Sequence, residues 1–110
     1  MFELESDVEQ YFIRKIKRIL GKKGLCLKFE VPAFTGLPDR IIFLYGGTVV
    51  FAELKKRGEK ERKRQVYVQD KLHKLGFKIF SAVDTKAKVD KVCDYCEKII
   101  QKRTVENGEI

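Results

Sequence analysis

Two adjacent glycines between two apolar segments constrain the fold of this chain more than any other feature. The segments run from about Arg40 to Tyr45 and from about Thr48 to Lys55, and Gly46-Gly47 separates them. Both segments are rich in β-branched and aromatic residues, which favours strands. Glycines at such a junction are typical of a tight hairpin, because its turn needs positive φ angles that other residues resist. The chain is therefore expected to fold around a pair of antiparallel strands.

The remaining sequence predicts three helices and two further strands around this hairpin. Apolar residues at helical spacing predict helices over about 6–20, 63–75 and 86–102. An alternating segment predicts a strand over about 25–31, and a short apolar run predicts a buried strand over about 77–83. The element order is then α-β-β-β-α-β-α. This order predicts an α/β fold, in which helices flank both faces of a mixed four-stranded sheet.

Length and composition indicate one compact domain. The 110 residues include 44% hydrophobic residues, enough for a core, and we place the domain over residues 1–103 with a polar tail over 104–110. No apolar run approaches the ~20 residues of a membrane span. We expect no secretory signal, and the odd number of cysteines argues against a disulfide framework. These features favour a cytoplasmic protein without a membrane partner.

The charge of the chain points to polyanions. The net charge is +8, from 24 Lys and Arg against 16 Asp and Glu. A basic surface attracts nucleic acid, since neutralising each phosphate releases counterions. Basic small proteins are common, however, so charge alone supports nucleic-acid binding and an ordinary solvated surface about equally.

Asp39, Glu53 and Lys55 are the residues with the clearest potential for chemistry. Glu53 and Lys55 share one face of the predicted strand, because successive side chains alternate, and Leu54 points to the other face. The strand is otherwise apolar, so its charged groups must be paired, hydrated or bound to a metal. Carboxylates at neighbouring strand ends suit a hard divalent cation. The structural alternative is an ordinary Glu-Lys ion pair at the end of a sheet.

The hairpin decides whether the two acids can meet. With a two-residue turn at Gly46-Gly47, Asp39 would face Leu54 and lie on the opposite side of the sheet from Glu53. A shared site therefore requires a one-residue offset. A three-residue loop, Tyr45-Gly46-Gly47, would supply it, and so would a bulge near Asp39 or a position of Asp39 just before regular pairing.

Two helix starts carry further polar candidates. Glu9, and secondarily Glu5, fall within the apolar stripe of the first helix, although Ser6 and Glu9 also form a capping-box pattern. Gln65 lies at the start of the second helix, where it could fix a catalytic side chain, a water or a phosphate, or simply be exposed. Gln69, one turn later, is a weaker candidate.

The cysteines are predicted to be structural. Cys93 and Cys96 fall on the apolar stripe of the last helix, and Cys26 lies in the first strand. One Cys-x-x-Cys pair with a single histidine in the chain falls short of a zinc site, so Cys93 and Cys96 are expected in the core, and Cys26 is expected as a residue of the strand.

These motifs together resemble a known family. Gly36-Leu37-Pro38-Asp39, then Phe51-Ala52-Glu53-Leu54-Lys55, then Gln65 resemble the VRR-NUC domain family of the PD-(D/E)xK nuclease superfamily. The resemblance spans about residues 5–83. It implies a restriction-endonuclease-like αβββαβ(α) core and a phosphodiester hydrolase that needs Mg²⁺ or Mn²⁺.

The resemblance also implies roles for individual residues. Asp39, Glu53, the backbone carbonyl of Leu54 and Glu9 would hold the metal. Lys55 would be the catalytic lysine, and Gln65 would complete the site. The resemblance also implies that Lys28 could contact phosphate. The basic residues that directly follow the site could contact phosphate as well, or form an ordinary solvated loop: Lys56, Arg57 and Lys60.

Three functions follow from this resemblance as alternatives. The first is an endonuclease that cuts branched DNA, such as Holliday junctions or flaps, as a homodimer in DNA repair. The second is a restriction-like or non-specific nuclease of the same fold. The third is a DNA-binding module that retains the fold without activity.

Overall fold

The computed structural model describes residues 5–108, with side chains from residue 7 onward, and contains the predicted elements in the predicted order. Within this part of the chain, no helix has the length and apolar character needed to cross a membrane. The elements are α1 (Glu5–Leu20), β1 (Gly24–Lys28), β2 (Arg40–Leu44), β3 (Thr48–Leu54), α2 (Lys63–Lys74), β4 (Lys78–Val83) and α3 (Lys86–Glu106).

The four strands form one mixed sheet in the order β1-β2-β3-β4. The first three strands are antiparallel, and β3 pairs in parallel with β4. The central strand β3 is buried from Val50 to its end, as predicted. The expectation that β4 is buried was wrong. It is an edge strand in which Lys78 and Ser81 are exposed, because no further strand covers its outer side.

The helices flank both faces of the sheet, as expected. α1 and α3 pack against each other over one face, whereas α2 contacts β4 and reaches the face that carries Glu53. The apolar stripes predicted for α1 and α3 meet the inner side chains of β2, β3 and β4 in one core. Its buried members are Val8, Phe12, Ile16, Leu20, Ile42, Leu44, Val50, Leu54, Val83, Val89, Val92, Cys93, Cys96 and Ile100.

The three cysteines are free thiols. Cys93 and Cys96 are buried in this core, as predicted, and Cys26 is partly buried against it. Burial raises the pKa of Cys26 and Cys93 to about 11 and that of Cys96 to about 12. These thiols therefore stay protonated at neutral pH. In that form they are unreactive, because the thiolate is the species that acts as nucleophile and metal ligand.

Two predicted boundaries differ from the structure. The last helix runs to Glu106, beyond the predicted end at Lys102. Thr104 is buried there and donates a hydrogen bond to the carbonyl of Ile100 at 2.7 Å. The second helix, predicted to end at about Leu75, ends at Lys74, and Leu75 is its C-cap and is 67% exposed.

Candidate active site

A three-residue loop in the hairpin supplies the offset that the two acids require. Leu44 pairs with Thr48, which leaves Tyr45-Gly46-Gly47 as the loop. Gly46 and Gly47 have φ angles of 89° and 91°, and the amide of Gly47 donates to the carbonyl of Leu44 at 3.1 Å. Of the three ways of obtaining the offset, the loop is therefore confirmed.

This register places Asp39 beside Glu53. Arg40 pairs with Ala52, so Asp39, just before β2, faces Glu53 across the strands. Each carboxylate accepts a hydrogen bond from the backbone of the other strand. The amide of Asp39 donates to Glu53 Oε2 at 3.1 Å, and the amide of Leu54 donates to Asp39 Oδ1 at 2.8 Å. The two carboxylates are thus fixed at one end of the sheet.

Lys55 and Gln65 complete a connected polar group around Glu53. Lys55 Nζ lies 3.0 Å from Gln65 Oε1, to which it donates, and 3.6 Å from Glu53 Oε1. Gln65 Nε2 donates to Glu53 Oε1 at 3.0 Å, and Gln65 Oε1 also accepts from the amide of Arg62 at 2.9 Å. Gln65 is therefore not an ordinary exposed residue of the first turn, because it holds both Lys55 and Glu53.

The environment of the acids disfavours their negative charge. Burial is the main cause that raises the pKa of Glu53 from its ordinary 4.5 to about 7; the charge of Asp39 adds to the rise, and Lys55 opposes it. Burial also raises the pKa of Asp39, although the amide of Leu54 and the Arg40 guanidinium act against it. The pKa values of both acids are raised, so Lys55 and Arg40 together do not fully offset the cost of their negative charge, and the site favours an added positive charge.

Arg40 is a site residue that sequence reasoning missed. It is 8% exposed, its Nη2 donates to Glu9 Oε2 at 2.7 Å, and its Nε lies 3.7 Å from Asp39 Oδ2. The signal was an arginine at the start of an otherwise apolar strand. Glu9 is therefore ion-paired, and α1 begins before Ser6, so the capping-box interpretation fails. The side chain of Glu5 lies outside the described residues.

A bulge in β4 lies opposite Glu53. The pairing shifts from Ala52–Phe80 to Leu54–Val83, which places one extra residue on β4. At the bulge, Ala82 adopts a left-handed backbone conformation with a φ angle of 50°. Bulges of this kind redirect strands next to functional sites, and here the bulge lets the amide of Lys55 donate to the carbonyl of Val83 at 3.0 Å.

The other polar candidates lie around the site with different partners. Gln69 is buried, donates to Glu61 Oε2 at 2.6 Å and accepts from Ser81 Oγ at 2.5 Å, so it ties α2 to β4. Lys28, at the end of β1, borders the cleft that contains Asp39 and Glu53. The remaining basic candidates are exposed in the segment after β3: Lys56, Arg57 and Lys60.

Gly36 fixes the loop that leads into the site. Its φ angle is 89°, and a Cβ atom there would lie 2.9 Å from the backbone oxygen of Arg64 and 2.7 Å from its Cγ. The loop therefore packs directly on the start of α2. This close approach explains the glycine in the Gly36-Leu37-Pro38-Asp39 motif.

Substitution of this glycine is expected to destabilise the fold. Gly36→Ala should lower the free energy of unfolding by about 2–4 kcal/mol, because it adds a steric clash to the strained φ angle. Gly58→Ala is the matched control, since Gly58 has a φ angle of 79° but open space around it. Urea unfolding should show a larger loss for Gly36→Ala, and equal losses for both variants would contradict the packing argument.

This chain is similar to known proteins in sequence and in structure. No protein-family model matches the sequence. A protein named "Putative nuclease p44" from Acyrthosiphon pisum secondary endosymbiont phage 1 is 31% identical over 75 residues, which cover 68% of this chain and 77% of that protein. A solved structure of a VRR-NUC domain matches with a TM-score of 0.71 and 24% identity, over 83% of this chain and 95% of that one.

The fold and the paired acids define a protein of the nuclease-fold class. The mixed sheet and its three helices match the solved domain, and the phage protein is related over most of its length. The chain belongs to the VRR-NUC domain family.

Proposed function

We propose that this protein is a Mg²⁺-dependent endonuclease that hydrolyses phosphodiester bonds in DNA. The observation that carries the proposal is a pair of carboxylates, buried Glu53 and half-buried Asp39, held together at one sheet end beside Lys55. Membership of the VRR-NUC family and the name of the phage relative support the same activity.

The residues at the site fit a hard divalent cation. Asp39 and Glu53 offer oxygen donors whose negative charge the protein itself balances only in part. We propose that these two carboxylates and the backbone carbonyl of Leu54 hold Mg²⁺ or Mn²⁺. The ion, when bound, lowers the pKa of a bound water and neutralises charge on the phosphate. Among the side chains of residues 7–108, no three acids, histidines or cysteines form a group suited to a metal. Glu9 joins this pair only if its ion pair with Arg40 opens.

Lys55 is positioned to act on the phosphate or on the attacking water. Its side chain is 7% exposed, and its ammonium group donates to Gln65 Oε1. An ammonium fixed in a largely dry site stabilises charge that develops on a phosphate oxygen without first having to reorient. Gln65 holds the side chains of Lys55 and Glu53 in place through hydrogen bonds, so we assign Gln65 a positioning role.

The charge distribution fits a DNA substrate. The chain carries a net charge of +8, and Lys28, Lys56, Arg57 and Lys60 are exposed near the site. We propose that these residues contact backbone phosphates on either side of the cut. We place the reaction in the cytoplasm, where buried thiols such as those of this core stay reduced.

We propose branched DNA as the preferred substrate, and a panel of substrates tests this choice. In Mg²⁺, the wild-type protein should cut a synthetic four-way junction or a flap faster than a linear duplex or a plasmid. Asp39→Ala should lower all rates at least about 100-fold, whereas Asp70→Ala, an exposed acid paired with Lys74, should not. Equal rates on all DNAs would favour a non-specific nuclease. DNA binding without any cleavage would favour an inactive binding module.

In a homodimer, a two-fold axis would relate two active sites, and each site could cut one of the two DNA strands. Apolar side chains of β1 and β2 remain exposed on the sheet face: Leu25, Leu27 and Phe43 are 54%, 45% and 41% exposed. Sedimentation should show a dimer at micromolar concentration, and Leu25→Arg should shift it to a monomer. Val105→Arg, at a 59% exposed residue of α3, is the control. A wild-type monomer that still cuts junctions would refute the dimer.

A further inference from the structure

A cleft of about 360 Å³ opens beside the two carboxylates. Asp39, Glu53 and Gln65 border it on one side, and the loop that connects β1 to β2 forms the other. The loop contributes mainly apolar side chains to the lining: Phe29, Val31, Pro32, Phe34 and Leu37. The volume lies at the small end of the range for ligand sites, about 300–1,000 Å³.

The outer wall of this cleft is held in place by Arg64 of α2. Arg64 Nε donates to the carbonyl of Thr35 at 3.2 Å, and its guanidinium group lies 4.9 Å from the ring centre of Phe34. Gly36 packs directly against Arg64. Phe34 is nevertheless 45% exposed and Val31 is 42% exposed. The cleft thus presents an aromatic surface that is fixed before any ligand arrives.

We propose that this cleft binds the base of one unpaired nucleotide next to the phosphodiester bond that is cut. This inference rests on the proposed function, because it assumes that the phosphate lies at Asp39 and Glu53. The base attached to a neighbouring sugar then falls within reach of the cleft. A base that is stacked and paired in a duplex enters such a cleft only after it has left the stack, so the occupant is an unpaired base.

The lining of the cleft matches this occupant in shape and in charge. An aromatic ring next to apolar side chains provides a stacking surface that accepts every base. The cleft itself is lined by Lys28 and Glu30 besides the two site acids, and the positive charge lies next to it, at the start of α2, in Arg62, Lys63 and Arg64. The phosphates on either side of the base meet these basic residues. The substrate class is therefore DNA with at least one unpaired nucleotide at the cut.

The test compares binding to two synthetic duplexes of the same sequence, one fully paired and one with a single bulged adenine. Fluorescence anisotropy in Ca²⁺ measures affinity without cleavage. The wild-type protein should bind the bulged duplex about tenfold more tightly than the paired one, as expected for one base stacked on an aromatic ring. Phe34→Ala should lose this preference and retain its affinity for the paired duplex.

Tyr67→Ala is the matched control. Tyr67 also lies against the Arg64 guanidinium, at 5.5 Å, and is 57% exposed, but it does not line the cleft. It should keep the wild-type preference. Phe34→Leu, which keeps apolar volume but loses the aromatic face, should lose most of the preference and provides a second, more conservative variant should Phe34→Ala unfold.

The outcomes separate this inference from the proposed activity. Equal affinity of the wild-type protein for both duplexes overturns the base site, as does a preference that survives in both Phe34 variants or disappears equally in Tyr67→Ala. A preference that depends on Phe34, in a protein that cuts no DNA in Mg²⁺, supports the base site and refutes the nuclease.

Discussion

Glu53→Gln is expected to abolish DNA cleavage and, in the absence of metal, to stabilise the protein at pH 8. Glutamine retains an oxygen that accepts from the amide of Asp39 and removes the buried charge, while its NH2 group faces the donor Gln65 Nε2 and offsets part of that gain. Because the pKa of Glu53 is raised from 4.5 to about 7, the folded state binds its proton more tightly than the unfolded state does. The free energy of unfolding therefore falls between about pH 4.5 and pH 7 and stays lower above that range.

The expected change in the free energy of unfolding is measured in EDTA, which removes divalent metal ions. At pH 8, Glu53→Gln should exceed the wild type by about 1–3 kcal/mol, whereas at pH 4.5 the two should agree more closely. Glu59→Gln makes the same charge change 3.5 Å from Lys55 at a 46% exposed side chain, and should alter neither stability nor cleavage strongly. A Glu53→Gln protein that is less stable than the wild type at pH 8 would contradict the charge imbalance.

Lys55→Met should lower the rate of cleavage at least about 100-fold while DNA affinity changes less than about threefold. Lys55 is one of 24 basic residues, so it contributes little to salt-dependent binding, but its ammonium group is the only one tied to Gln65 and Glu53 among the contacts described for residues 7–108. Methionine keeps the buried stem. The loss of the lysine charge should also raise the pKa of Glu53 further, since Lys55 opposes that rise in the wild type.

Lys56→Met is the matched control for this variant. Lys56 is the next residue, but it is exposed, so the same change of charge falls outside the site. It should affect binding as much as Lys55→Met does and cleavage far less. Parallel losses of binding and cleavage in Lys55→Met, or similar cleavage by the two variants, would argue against a catalytic Lys55.

The sequence was most informative where local pattern determines structure. The helical stripes, the Gly46-Gly47 hairpin and the alternation of Glu53, Leu54 and Lys55 follow from backbone periodicity, which is local. The alternation of strand side chains also determines that Asp39 and Glu53 can meet only with a one-residue offset in the hairpin. The three-residue loop then appeared in the structure.

What the sequence could not reveal depends on contacts between distant segments. The ion pair of Arg40 with Glu9 needs the position of α1 over β2, and the bulge at Ala82 has no glycine to mark it. The packing of Gly36 on Arg64 creates the cleft, yet it joins residues almost thirty positions apart. Such contacts arise from tertiary packing, which overrides local propensity.

Cleavage of junction DNA by the wild type and by Glu53→Gln, each with Mg²⁺ and with EDTA, tests the central claim most directly. The claim is that Asp39 and Glu53 form a metal-dependent site for phosphodiester hydrolysis. Cleavage is predicted only for the wild type in Mg²⁺, with DNA binding retained by Glu53→Gln. Undiminished cleavage in EDTA, or by Glu53→Gln in Mg²⁺, would contradict it.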